Sequence, residues 1–336
     1  MSSSSMLISR TPVRVSFCGG GTDLAAFYEN HPDGGAVTSM ALKRFLYVTV
    51  NPRFDDEVRV SYSKTEVVAD FERLEHELVR EAMRLTGVTA GVEITTIADI
   101  PSRGTGLGSS SSLTVGLLNA LHRFAGRDVG PFELAEQACE IEIDVLGQPI
   151  GRQDQYAAAL GGMNTIRFLP DGGVEAESLV IDDAGVKALG EQFTLVFTGI
   201  TRRAGGLLAK QSAITAERMT ELSEMRDQAF EVRAAVESGD LAAIGGLLER
   251  AWRIKRGLVE GITAESLDAL HAAILSAGAT GAKLLGAGGG GFFLMHGNAG
   301  LRQRLGDSLD PVHRMIPLTL DIHGSTIIFD DGTRRE

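Results

Sequence analysis

Residues 101–121 read PSRGTGLGSSSSLTVGLLNAL, glycines and serines set directly against an apolar run. Upstream, 92–97 is rich in β-branched residues, which predicts a strand that Pro101 ends. Downstream, Leu113, Leu117, Leu121 and Phe124 recur at helical spacing, which predicts a buried helix. Gly104, Gly106, Leu107 and Gly108 therefore occupy a strand-to-helix turn. Glycine there admits positive φ and lets backbone N–H groups come close to a ligand. The first helical turn adds unpaired N–H donors and the positive end of the helix dipole. Together these make an anion site suited to phosphate. Ser109, Ser110, Ser111 and Ser112 add hydroxyls able to bond phosphate oxygens or a magnesium ion. A flexible Gly/Ser linker is the rival reading. A dinucleotide fingerprint needs GxGxxG, and Ser109 stands where its third glycine belongs; GxxxxGK[ST] is absent from the chain.

The organisation around this turn is mixed. Segments 46–50, 58–62, 163–168 and 193–197 are short, β-branched and aromatic, and predict strands. Apolar stripes over 71–85, 134–145 and 222–236 predict helices, and Asp240 is placed to cap another whose inner face is Ile244, Leu247, Ala251 and Trp252. Strands followed by helices argue for an α+β fold. A softer, charged segment at 175–190 divides the chain into expected domains of 6–180 and 190–330. The 336 residues, 43% of them hydrophobic, suffice for one large or two ordinary domains.

Charge and cysteine usage exclude several classes. A net charge of −12 argues against nucleic acid as a partner and leaves small anions that local cations can hold. Two cysteines, Cys18 and Cys139, make no disulfide framework and fit a reducing cytoplasm. The scattered histidines show no zinc spacing. No apolar run reaches the roughly 18 residues of a membrane span. The polar start, Met1 to Ser5, reads as a disordered tip without an apolar leader core.

Two further stretches complete the pattern. TPVRVSFCGGGTD, from Thr11 to Asp23, sets Arg14 and Asp23 around a glycine triplet, and KLLGAGGGGF, from Lys283 to Phe292, crowds glycines into an apolar context. In order and spacing the three motifs, with GRQDQYA from Gly151 to Ala157, resemble the GHMP small-molecule kinases (galacto-, homoserine, mevalonate and phosphomevalonate kinases) over essentially the whole chain. The resemblance implies a two-lobed α+β fold, with a ribosomal-S5-domain-2-like N-terminal ATP-binding lobe and a ferredoxin-like C-terminal lobe. It implies phosphorylation of a small molecule by ATP with Mg²⁺. Within the family the motifs look most like members that phosphorylate the anomeric C1 hydroxyl of D-glycero-D-manno-heptose 7-phosphate. The alternatives are a sugar 1-kinase of the L-fucose or galactose type, or a non-catalytic sugar- and ATP-binding regulator on the same fold.

Roles follow from the resemblance residue by residue. Asp154 is the implied base and Arg14 its cationic neighbour, able to offset charge on the transferring phosphoryl group. Ser110 and Glu142 are the implied magnesium ligands; the rival reading of Glu142 is a solvated helix face, since Glu140 and Asp144 flank it. Residues 104–112 would hold the nucleotide phosphates. Gly20, Gly21, Thr22 and Asp23 would hold the sugar, with Gly288 and Gly289 close by. Galactokinases carry Glu-His where this chain has Gly20-Gly21, and the missing side chains leave room for a longer sugar. A 7-phosphate needs its own cations, for which Lys43, Arg44, Arg202 and Arg203 are candidates; the last two follow a strand and are better placed. The partners expected are a sugar phosphate and ATP, with no nucleic acid and no membrane, on a monomer or homodimer.

Overall fold

The computed structural model of the protein describes residues 5–101, 104–201, 205–298 and 300–332. Most of the polar tip, and Arg202 and Arg203, lie outside the described residues. Strands β1 (Leu7–Cys18), β2 (Gly35–Pro52), β3 (Val58–Ser61), β4 (Thr65–Val68), β5 (Val92–Ala98), β6 (Met163–Phe168) and β7 (Val174–Ser178) build a first sheet. Strands β8 (Phe193–Phe197), β9 (Gly281–Leu284), β10 (Phe292–His296) and β11 (Met315–Pro317) form a second, in the order β11-β8-β10-β9. The expected division falls between β7 and β8. The chain then returns: β12 (Thr326–Asp330) pairs antiparallel with the start of β1, so residues 326–330 extend the first sheet.

β2 is long because it serves two partners. Its first part pairs with β6 and its second with β5, while β1 runs along most of it, from Thr38 to Val50. Between Pro12 and Val13 the β1–β2 register slips, leaving Lys43 and Arg44 unmatched on β2. Proline has no N–H for the ladder, so a bulge is where a sheet tolerates it. The bulge turns Lys43 out to solvent and engages Arg44 with the Lys43 carbonyl, so neither reaches the cavity described below. The expectation that they grip a phosphate is corrected on that ground.

Helix Ser109–Phe124 packs on β1 and β2. With helices Glu77–Thr86, Pro131–Cys139 and Gln153–Leu160 it encloses the first core, which includes Val50, Ile94, Leu118, Leu121 and Tyr156. A second core joins the two halves: Val13, Phe17 and Met40 of the first sheet meet Phe193, Phe292 and Leu248. Helix Met219–Glu237 is tied to it where the Thr38 hydroxyl donates to the Ala229 carbonyl, 2.8 Å. The two sheets are thus set against each other by shared apolar burial. Asp240 sits two residues ahead of the N-cap, which is Ala242, and its carboxylate still accepts at 3.2 Å from the N–H of Ala243, the first residue of helix Ala243–Lys255. Both cysteines are free and buried. Among the described residues no helix is long and apolar enough to cross a membrane.

Candidate active site

A cavity of about 1180 Å³ opens where β1, the turn before helix Ser109–Phe124 and the glycine loop between β9 and β10 converge. The turn has the conformation its glycines permit: Gly104, Gly106 and Gly108 all take positive φ. Gly108 is the N-cap, no side chain caps the helix, and no acidic residue occupies its first turn. Its leading N–H groups and positive dipole end are therefore left for a ligand.

Arg14 and Asp154 face each other across this turn. Arg14 Nε donates to Asp154 Oδ1 at 2.7 Å, Nη2 stands 2.6 Å from the same oxygen, and Nη1 donates to the Gly106 carbonyl at 2.6 Å. Arg14 is 4% exposed and Asp154 22%, so the carboxylate is the member open to the cavity. Asp154 lies in the first turn of helix Gln153–Leu160, where the dipole favours negative charge. A Cβ on Gly108 would come within 3.1 Å of Asp154 Oδ2, so glycine is what lets the turn approach the acid.

Ser110 and Glu142 also meet. The exposed Ser110 hydroxyl donates to Glu142 Oε1 at 3.0 Å, and Gln155 Nε2 donates to Oε2 at 2.8 Å. The predicted helix over 134–145 ends at Cys139 and continues as a π-helical turn, Glu140–Val145. This wider turn buries Glu142 completely while Glu140 and Asp144 stay exposed, which removes the solvated-face reading. Burial pushes Glu142 up to about 7, against the pull of hydrogen bonds from Ser111, Gln155 and Ser110. One buried carboxylate and one hydroxyl beside a phosphate turn form a hard-oxygen set that suits Mg²⁺, which keeps water and phosphate oxygens as its other ligands.

The raised Glu142 has a measurable consequence for the metal-free protein. Below its ordinary value near 4.5 the group is protonated folded and unfolded alike, and its contribution is fully present. As pH rises to about 7 only the unfolded chain ionises, so this contribution to stability is lost across that window. Glu142→Gln is expected to abolish this pH dependence, so that in urea titrations the wild-type-minus-variant stability difference falls between pH 4.5 and 7; parallel curves for the two proteins would contradict it.

Asp23 closes the other side. It accepts from Gly21 N–H at 2.8 Å and from Gln153 Nε2 at 2.9 Å. A Cβ on Gly151 would sit 1.9 Å from Asp23 Oδ2, so the loop before Asp154 can wrap Asp23 only as glycine. Burial first, then the charge of Asp154, lifts Asp23 above its ordinary value. Gly20, Gly21 and Gly288 line the cavity with it.

Four expected contacts turn out to be wall. Thr22 is fully buried, and its hydroxyl bonds the Gly19 carbonyl and accepts from Ala36 N–H. Leu107 is buried in the core joining the halves, and its carbonyl accepts from Arg14 N–H. The Ser112 hydroxyl donates to Pro12 and Gly108 carbonyls. The Gly289 N–H is spent on the Ile262 carbonyl. The third motif's glycines serve packing: a Cβ on Gly286 would lie 2.4 Å from Gly106 Cα, and one on Gly291 would lie 2.3 Å from the Thr105 carbonyl oxygen. Two lysines without an expected role also line the cavity, Lys255 and Lys283. Lys283 interrupts an otherwise apolar strand, which was the available signal.

An uncapped helix start beside a carboxylate–guanidinium pair and a carboxylate–hydroxyl pair is the arrangement that phosphoryl transfer requires. Comparison with known proteins agrees. The GHMP kinases N terminal domain matches residues 73–162 and the GHMP kinases C terminal domain residues 232–304. A D-glycero-alpha-D-manno-heptose 7-phosphate kinase of Campylobacter jejuni is 28% identical over 300 residues, covering 84% of this chain and 87% of that protein. An L-fucokinase/L-fucose-1-P guanylyltransferase of Bacteroides fragilis is 27% identical and covers 85% of this chain, which spans 34% of that longer protein. The crystal structure of a D-glycero-D-manno-heptose 1-phosphate kinase from Bacteroides thetaiotaomicron superposes with a TM-score of 0.78 at 22% identity, over 95% of this chain and 97% of that one, a likeness of fold. The chain belongs to the GHMP kinase family.

Proposed function

We propose that this kinase transfers the γ-phosphoryl group of ATP to the anomeric C1 hydroxyl of D-glycero-D-manno-heptose 7-phosphate, giving the 1,7-bisphosphate. The observation that carries the reading is the Arg14–Asp154 pair set against the uncapped start of helix Ser109–Phe124. The name of the Campylobacter relative, matched over most of both chains, supports the sugar. Phosphates of the nucleotide lie along residues 104–111, and the apolar end of the cavity, with Leu46, Ile97 and Ile100, takes the base. Asp23 and Gln153 hold sugar hydroxyls. Asp154 accepts the hydrogen bond of the anomeric hydroxyl and receives its proton as the oxygen bonds to the γ-phosphorus and the bond to ADP breaks. Arg14 keeps Asp154 aimed and faces the charge that develops. Because the transition state is loose, this positioning outweighs strong base chemistry. Held by Ser110 and Glu142, Mg²⁺ would neutralise phosphate charge.

The test is ADP release with Mg·ATP against D-glycero-D-manno-heptose 7-phosphate, sedoheptulose 7-phosphate, mannose 6-phosphate, galactose and L-fucose. Turnover confined to the heptose phosphate is expected. Turnover on a free sugar alone would keep the kinase and discard the 7-phosphate, and silence on all five would favour a non-catalytic relative.

A further inference from the structure

Lys283 is a buried cation without a counter-charge. It is 3% exposed, lines the cavity, and forms an ion pair with no carboxylate among the described residues. A buried charge left so is costly unless a ligand completes it. Lys255, also buried and also in the cavity wall, donates to the Leu284 carbonyl at 3.0 Å and to that of Gly286; it forms no ion pair among the described residues, and the Asp23 charge acts on it from a distance. Arg14 is taken by Asp154. A second observation marks the same wall: Ser16 Oγ is buried, lines the cavity and has no hydrogen-bond partner. Ser16 lies on the Asp23 side, since a Cβ on Gly20 would be 3.5 Å from its Oγ and 3.6 Å from Gln153 Nε2.

We propose that Lys283, Lys255 and Ser16 form a second anion site on the cavity wall that takes the phosphate carried by the acceptor. The Lys283 ammonium supplies the charge, and the Ser16 hydroxyl donates a further hydrogen bond to a phosphate oxygen; burial, then the Lys283 charge, pulls Lys255 well below its ordinary value. The bare backbone of Gly20 and Gly21 leaves the approach open. Burial brings Lys283 down to about 8, so it stays charged at neutral pH. The assignment rests on the sugar-phosphate reading and names the group that would distinguish a phosphorylated acceptor from a free sugar.

The nucleotide γ-phosphate has the same chemistry, so the experiment separates the two sources. Inorganic phosphate is titrated calorimetrically into the protein saturated with Mg²⁺ and a non-hydrolysable ATP analogue. The wild type is expected to bind phosphate with the analogue in place, and Lys283→Met to weaken that binding about tenfold or more. Phosphate binding abolished by the analogue, or unchanged in Lys283→Met, would overturn the site. Affinity for the analogue reports the fold of the variant; should it be lost, Ser16→Ala carries the same readout with an expected weakening of about threefold. Turnover keeps this apart from the substrate reading. If heptose 7-phosphate is phosphorylated with the same KM by wild type and Lys283→Met, the site fails and the substrate stands. If no heptose phosphate is turned over while the variant still loses phosphate, the substrate fails and the site stands.

Discussion

Asp154→Asn is expected to lower kcat by about 10²-fold or more. The substitution keeps the shape of the side chain and an oxygen that can still accept from Arg14 Nε, now held at 2.7 Å. What it removes is the negative charge and the proton acceptor, at the 22%-exposed member of the pair. On the proposed placement of the nucleotide along the turn and the first residues of the helix, KM for ATP is expected to move less than kcat. Steady-state kinetics with the acceptor saturating checks this. A variant within threefold of the wild type would remove Asp154 from the chemistry and leave it a structural partner of Arg14.

Gly286→Ala is expected to damage both fold and activity. Gly286 sits at φ +66° with its missing Cβ aimed at Gly106 Cα, 2.4 Å away. A left-handed alanine costs roughly 1–2 kcal/mol, and forcing two backbones apart adds about 1–3. The sum, about 2–5 kcal/mol, should appear as a lower urea midpoint. The displaced partner is the glycine turn proposed to hold the nucleotide phosphates, so kcat/KM should fall at least tenfold, as roughly ångström-scale misplacement does. Gly87→Ala is the control. That glycine has φ +72° and nothing within 4 Å of its missing Cβ, so it should cost only the left-handed backbone penalty, about 1–2 kcal/mol, and leave turnover intact. Equal losses in the two variants would mean that the Gly106–Gly286 contact contributes nothing of its own.

Much of the site is legible in the sequence because its parts are local. The strand, glycine turn and helix over 92–124 are contiguous, and their order alone aims a helix start at a ligand. Arg14, Asp23, Asp154, Ser110 and Glu142 stand in motifs whose resemblance to the GHMP kinases assigns them roles, and the structure brings them to one cavity or its edge. What stays hidden depends on contacts between distant segments. Nothing near Gly286 in the chain says that its space is taken by Gly106. The bulge that turns Lys43 and Arg44 away from the cavity arises from the pairing of β1 with β2. Helical periodicity runs smoothly through 134–145, yet the backbone widens after Cys139 and carries Glu142 inward. Thr22 and Ser112 look like ligand groups by type, but the backbone groups that occupy them come from elsewhere in the fold, Ala36 and Pro12 among them. The return of β12 to the first sheet rests on pairing across nearly the whole chain.

The most direct test of the central claim is the site of phosphorylation. Product formed from D-glycero-D-manno-heptose 7-phosphate and Mg·ATP is examined by ³¹P and ¹H NMR. A second phosphate monoester whose phosphorus couples to the anomeric proton is the expected result. A new phosphorus coupled to any other sugar proton, with the anomeric hydroxyl left free, would contradict the assignment of Asp154 to the C1 hydroxyl.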